Sequence, residues 1–177
     1  AKLRTERDVH LIVVGSLREG GATEETLERL DLHDAVEFRS DVAEPDLVEL
    51  FGSAQVAVVP SLYEGFSLPA VEIMACATPL VATNAGALPE VVGPDGEAAL
   101  RVEPGDPQAL AVAIGQILDD DELAARLGAT GRKRVIENYT WSVVAARTAD
   151  WYRRCIAERA AAAAALTPPA RTKKTKT

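Results

Sequence analysis

Two carboxylates separated by seven residues, Glu64 and Glu72, flank the start of an apolar segment in Ser61-Leu62-Tyr63-Glu64-Gly65-Phe66-Ser67-Leu68-Pro69-Ala70-Val71-Glu72. Ser67 is a good N-cap residue and Pro69 is tolerated in a first helical turn, so a helix is predicted to begin here. The backbone N–H groups from Gly65 through Phe66, Ser67 and Leu68 to Ala70, with the positive end of the helix dipole, then form an anion site, most readily for phosphate. Gly65 lets the backbone approach a ligand closely. A single ligand could meet all of these features if hydroxyls, phosphates and further hydroxyls followed one another along it. A nucleotide sugar has that layout, with sugar hydroxyls at Glu64, a diphosphate at the helix start and ribose hydroxyls at Glu72. The alternative from the residues alone is that Glu64 caps a turn and Glu72 pairs with a neighbouring Arg or Lys.

The elements that must hold these residues can be read on both sides of them. The apolar run Val56-Ala57-Val58-Val59 predicts a strand leading into the turn. From Leu68 to Ala77 every residue except Pro69 and Glu72 is apolar or small. This helix is therefore expected to be buried on nearly all sides, with Glu72 a costly acid unless paired or ligand-bound. Upstream, His10-Leu11-Ile12-Val13-Val14 ends at Gly15 and predicts a buried parallel strand opening onto a loop where a ligand edge could sit. Gly15-Ser16 with Gly20-Gly21 lacks the spacing of a dinucleotide fingerprint. Residues 1–8 are expected to be the end of a helix whose beginning is absent. Thr23 to Leu30 reads as an exposed helix, Ala35 to Phe38 as a strand, and Asp46 to Phe51 as an amphipathic helix capped near Glu44-Pro45.

Thr78-Pro79 ends the central helix, and Leu80 to Ala82 and Ala98 to Val102 give two more strands. Asp106-Pro107 opens another helix. The acids Asp119 to Glu122 open one more, and they are read as N-cap and first-turn residues rather than as a metal site. Trp141 begins a long final helix with Val144, Ala145, Thr148, Trp151, Tyr152 and Cys155 on one stripe, which Ala160 to Ala165 could extend. This alternation predicts an α/β protein with a Rossmann-like parallel sheet flanked by helices. Ligands in such sheets bind beyond the carboxyl ends of the strands. Glu64, Gly15, Val42 and Gly86 all follow predicted strands, so a single cleft is expected to hold them. His10 and His33 are read as structural.

Glu64-Gly65-Phe66-Ser67-Leu68-Pro69 followed by Glu72 resembles the Glu-x7-Glu signature of retaining glycosyltransferases of group 1, or family 4 type, with the two-domain GT-B fold. Leu11 to Gly15, Val36 to Phe38, Pro79 to Thr83, Gly86 to Val92, Gly105 to Pro107 and Tyr139 to Trp141 are similar to that group in the expected order, over residues 8–155. The resemblance implies the C-terminal, donor-binding half of a GT-B fold. It also implies transfer of a sugar from a nucleoside-diphosphate donor with the anomeric configuration kept. By the same resemblance Glu64 contacts the transferred sugar and is the catalytic candidate, Glu72 contacts the ribose, and Val42 lies by the base. Gly86 stands where the group has a double glycine, with Ala87 in place of the second. No metal or cofactor is implied, the nucleotide sugar being the donor substrate. The implied partner is an N-terminal acceptor-binding domain not found in this sequence, and the opening strand and basic loop of the donor domain are expected to be missing too.

Composition agrees with a domain of ordinary size: 177 residues, 47% hydrophobic and 26% charged. No apolar run approaches the ~18 residues that span a bilayer, and the start carries no signal-peptide core, so a cytoplasmic protein is expected. Cys76 and Cys155, without metal-ligand spacing, are read as reduced packing residues. The net charge is −8, and the last eighteen residues carry Arg171, Lys173, Lys174 and Lys176 without an acid, which leaves −12 on residues 1–159. Such a body should repel nucleic acid and anionic lipid. The expected organisation is therefore a nucleotide-sugar-binding domain over 1–159 and an Ala-rich extension with a disordered basic tail over 160–177, whose membrane contact is left open. The competing classes are a non-catalytic nucleotide-binding or scaffold domain and a GT-B epimerase or phosphorylase.

Overall fold

A computed structural model describes residues 1–165; strands and helices alternate along it up to residue 119, and two further helices follow. The elements are β1 (Leu11–Val14), α1 (Ala22–Leu30), β2 (Val36–Arg39), α2 (Glu44–Ser53), β3 (Ala57–Val59), α3 (Leu68–Ala75), β4 (Leu80–Thr83), α4 (Leu88–Val92), β5 (Leu100–Val102), α5 (Pro107–Asp119), α6 (Asp121–Asn138) and α7 (Trp141–Ala165). Ahead of β1 the chain makes one 3-10 turn, Leu3–Thr5, in place of the helix end expected over residues 1–8. Two compact units result, Ala1–Ile136 and a second beginning at Glu137.

The predicted α/β architecture forms, and every strand pair is parallel. The strands fall into two sheets rather than the single one expected. β1 pairs with β2 from Leu11 opposite Val36 to Val14 opposite Arg39. In the other sheet β4 lies between β3 and β5, with Ala57 opposite Leu80 and Val81 opposite Leu100. Among the described residues no ladder joins the two sheets. The difference shows in burial. All of β4 is buried, whereas β1, with one neighbour, leaves Leu11 51% and Val14 48% exposed. The expected buried strand is thus half-open, because an apolar run specifies a strand but not what covers it.

The three-stranded sheet carries the core of the first unit. Val81 and Val102 pack with Ala113 and Ile117 of α5 and Leu127 of α6, while Met74, Leu80, Leu88 and Val92 join α3, β4 and α4 with no exposed surface. Each large side chain so buried stabilises the fold by about 1.5–3 kcal/mol. Gly128 lets α6 close on the end of α3: a Cβ there would lie 2.1 Å from the Ala77 carbonyl oxygen. Ala77 itself has φ +59° and closes the turn after α3.

Polar bonds fix the junctions. Thr78 Oγ1 donates to the Phe51 carbonyl at 2.6 Å, tying the α3–β4 link to the end of α2. Asp106 accepts from the N–H groups of Gln108 and Ala109 and caps α5 as its sequence predicts. Arg134 donates to the carbonyls of Glu90 and Val91 at the end of α4, so Glu90 has a structural neighbourhood. In the second unit α7 runs unbroken through the Ala-rich stretch to Ala165. Its stripe is exposed except at the half-buried Cys155, with Trp151 at 61% and Tyr152 at 65%. The basic tail lies outside the described residues.

Candidate functional site

The turn between β3 and α3 is built as the residue types require. Ser67 is fully buried, and its Oγ accepts from the N–H of Ala70 at 3.3 Å, so it is the N-cap of α3 with Pro69 in the first turn. Pro69 has no N–H, and those of Ala70 and Val71 go to Ser67 Oγ and the Ser67 carbonyl, so of the first turn the Leu68 N–H is the one left to an outside acceptor. α3 is shorter than expected and ends at Ala75, Cys76 bonding back to the carbonyls of Glu72 and Ile73. Burial pushes the Cys76 thiol up, as for an inert packing cysteine.

The burial of α3 corrects one expectation. Ala70, Ile73 and Met74 are buried, but Leu68 is 61% exposed, and Pro69 and Glu72 on the same side are exposed as well. Residues four apart lie one above the other on a helix. Leu68 and Glu72 thus share the solvent side, one turn apart. Glu72 is not a lone acid in an apolar interior, so no desolvation cost forces a partner on it.

Glu64 is half-buried. Its carboxylate accepts from Ser61 Oγ at 3.2 Å, and its carbonyl accepts from the N–H of Ala87 at 2.8 Å. The first bond is the turn-capping contact foreseen as an alternative. An ionised carboxylate has about four acceptor positions, so one bond from serine leaves capacity for ligand hydroxyls.

Of the sequence-predicted residues, Glu64, Gly65, Phe66, Ser67, Leu68, Glu72 and Gly86 gather at the carboxyl ends of β3 and β4. Gly86 has φ +53° and lies against the backbone of Glu64. Gly15 and Val42 stand beyond the carboxyl ends of β1 and β2, in the other sheet, where the Gly15 N–H bonds the Arg39 carbonyl at 2.9 Å. Around Glu64 the surface is open and apolar: Leu62 is 77% and Tyr63 83% exposed. A concavity of about 360 Å³ lies elsewhere, between the N-terminal turn and α5, and is bridged by Arg7 and Asp119 at 2.7 Å. Sequence reasoning missed Ser61, Thr83 and the Ala87 N–H as parts of the Glu64 turn. Thr83, the polar residue ending an otherwise apolar strand, was the available signal.

In the acidic run, Asp119 pairs with Arg7 and Asp120 accepts from the Leu123 N–H at 2.9 Å. The capping role at Asp120 is the one read from the sequence, whereas Asp119 ends α5 and its pairing with Arg7 was not expected. Among the described residues no three His, Cys, Asp or Glu side chains are placed to hold a metal ion, and no helix is long and apolar enough to cross a membrane.

Residues 1–134 match the family described as glycosyl transferases group 1. The chain belongs to this family. It is 50% identical over 161 residues to an MMP alpha-(1->4)-mannosyltransferase from Mycolicibacterium hassiacum, covering 91% of this chain and 39% of the relative. Among solved structures it is similar to sucrose-phosphate synthase from Thermosynechococcus elongatus, with a TM-score of 0.74 and 36% identity over 84% of this chain and 39% of that one. The fold also matches Anabaena HepE, solved in complex with UDP-glucose, at a TM-score of 0.73, with 24% identity over 82% of this chain and 41% of that one. This group 1 chain thus spans about two fifths of the length of these relatives, and its parallel α/β architecture is that of its GT-B neighbours.

Proposed function

We propose that this chain is the donor-binding domain of a retaining glycosyltransferase, which moves a sugar from a nucleoside-diphosphate sugar to an acceptor. The observation that carries the reading is the helix start at Ser67, capped and buried, with Glu64 on one side and an exposed Glu72 one turn into the helix on the other. The diphosphate meets the Leu68 N–H, the backbone of the turn ahead of it and the helix dipole. Glu72 accepts from the ribose hydroxyls, and Glu64 from the sugar. Membership of group 1 supports the transferase class, and the UDP-glucose complex of the Anabaena neighbour makes uridine nucleotides the first to test. Gly15 and Val42 belong to the proposed site as the base side of the donor. The acceptor is held by the remaining length of the protein, and the leaving diphosphate, not a carboxylate nucleophile, assists its attack.

The test is calorimetric titration of the 177-residue chain with UDP, GDP and ADP and with their glucose and mannose conjugates. One nucleoside diphosphate should bind in preference to the other two, and its sugar conjugate should bind with a different enthalpy. Absence of binding for every nucleotide at millimolar concentration would remove the donor site from these residues.

A further inference from the structure

The turn carrying Glu64 is held from the far side by the junction of β4 and α4. Thr83 is the last residue of β4 and only 3% exposed, and its Oγ1 donates to the carbonyl of Ser61 at 2.6 Å. Four residues on, the N–H of Ala87 donates to the carbonyl of Glu64 at 2.8 Å. Between these bonds Gly86 presses its Cα against the turn, and a Cβ there would stand 2.1 Å from the Glu64 carbonyl oxygen and 3.0 Å from its carbonyl carbon and its nitrogen. Ser61, gripped at its carbonyl, in turn bonds the Glu64 carboxylate through its Oγ.

From this arrangement we infer that Thr83 is the positioning residue for Glu64, and that Gly86 is required as the flat surface on which the turn rests. A short exposed turn with a glycine at its centre has many backbone conformations open to it. Two bonds to carbonyls three residues apart select one of them. The grip works from a buried strand, so it holds whether or not a ligand is present. Assigning the positioned carboxylate to the donor sugar rests on the function proposed above, but the grip itself does not.

The experiment compares the wild-type chain with Thr83→Val, Thr83→Ser and Gly86→Ala, and reads amide hydrogen exchange first. Thr83→Val removes the donor while keeping the shape. The Ala87 amide and those of residues 62–66 should then exchange about tenfold faster, the scale of one lost hydrogen bond, while amides of β4 and α5 keep their wild-type rates. Thr83→Ser restores the hydroxyl and should restore protection. Gly86→Ala displaces the turn sterically and should give the same local loss, so the inference stays testable if Thr83→Val does not fold. Titration with the nucleoside diphosphate the chain prefers and with its sugar conjugate is the second reading: Thr83→Val should lose more affinity for the sugar conjugate than for the bare nucleoside diphosphate. Wild-type protection in both Thr83→Val and Gly86→Ala overturns the inference, as does a Thr83→Ser variant that behaves like Thr83→Val. A wild-type chain that binds none of UDP, GDP and ADP or their sugar conjugates overturns the proposed function instead, and the exchange result still decides the grip.

Discussion

At Glu72 stability and binding should respond differently to loss of the charge, and this separates two explanations of the residue. The carboxylate is exposed on the outer side of α3, so truncating it removes no buried partner. Glu72→Ala should leave unfolding within about 0.5 kcal/mol of wild type, as surface substitutions generally do. A charge-assisted hydrogen bond to ribose hydroxyls is worth about 1.5–3 kcal/mol. The same variant should therefore raise the Kd for the preferred nucleoside diphosphate roughly 10- to 100-fold. Calorimetry beside urea unfolding measures both. Loss of stability with unchanged Kd would make Glu72 a structural acid. The pair Glu64 and Glu72 was legible from the sequence because a carboxylate on an apolar segment is conspicuous. Its burial was not legible, because composition cannot say that Leu68 and Glu72 face solvent while Ile73 and Met74 face the core. Thr83 escaped notice for a related reason: its partner, the Ser61 carbonyl, is distant in sequence and reached only through the pairing of β3 with β4.

Elements whose ends are set by local chemistry were predicted closely, and those set by tertiary contact were not. Ser67 and Asp106 fix the starts of α3 and α5 through bonds within three residues, so side-chain type alone announces them. The end of α3 depends on the left-handed Ala77 and on α6 crossing over it at Gly128, and neither is written in the helix itself. The two-sheet arrangement was equally invisible, since β1 and β3 have the composition of paired strands whatever lies beside them. Gly128 gives a prediction at this scale. With 2.1 Å to the Ala77 carbonyl oxygen, Gly128→Ala must push α6 away from backbone atoms that cannot yield. It should destabilise the fold by about 1–3 kcal/mol despite the higher helix propensity of alanine. A Cβ added at Gly52 in α2 would meet nothing within 4 Å, so Gly52→Ala should instead be neutral or stabilising by up to about 1 kcal/mol. The urea midpoint should fall for Gly128→Ala and hold or rise for Gly52→Ala, and a wild-type midpoint in Gly128→Ala would mean that α6 adjusts freely. The N-terminal turn supplies a pH test. Arg4 and Arg7 hold the Asp34 and Asp119 carboxyls below the usual carboxylate range by hydrogen bonding, as Arg39 and His10 do for Glu37. A depressed folded pKa contributes stability above the unfolded value, and that contribution is lost as pH falls through the folded one. The midpoint of thermal unfolding should drop on acidification below about pH 4, and Asp34→Asn with Asp119→Asn should flatten that drop.

For the molecule as a whole, the charge of −8 and the open surface at Glu64 bear on what this length of chain can do alone. The donor site proposed above, built on the Ser67 helix start and two carboxylates, would orient a nucleotide sugar but leave its anomeric carbon open to solvent. Leu62, Tyr63 and Leu68 around it are 77%, 83% and 61% exposed, which is the condition of one wall of a cleft. Transfer requires an acceptor held against the anomeric carbon with water excluded, and a second wall does both. The relatives named above are longer, this chain covering 39% of the mannosyltransferase and of the sucrose-phosphate synthase. The 177-residue chain is therefore predicted to bind its nucleoside diphosphate and to transfer no sugar. Diphosphate charge met mainly by backbone dipoles in an open, negatively charged body gives weak affinity, with a Kd on the order of 0.1–1 mM. Calorimetry of the chain measures the first part. A product assay with the preferred donor and simple sugar or polyol acceptors measures the second, beside a protein of the relatives' full length as the positive control. Robust transfer by the 177-residue chain would place the acceptor site among these residues, and the exposed apolar surface at Leu62 and Tyr63 would then be where to look for it.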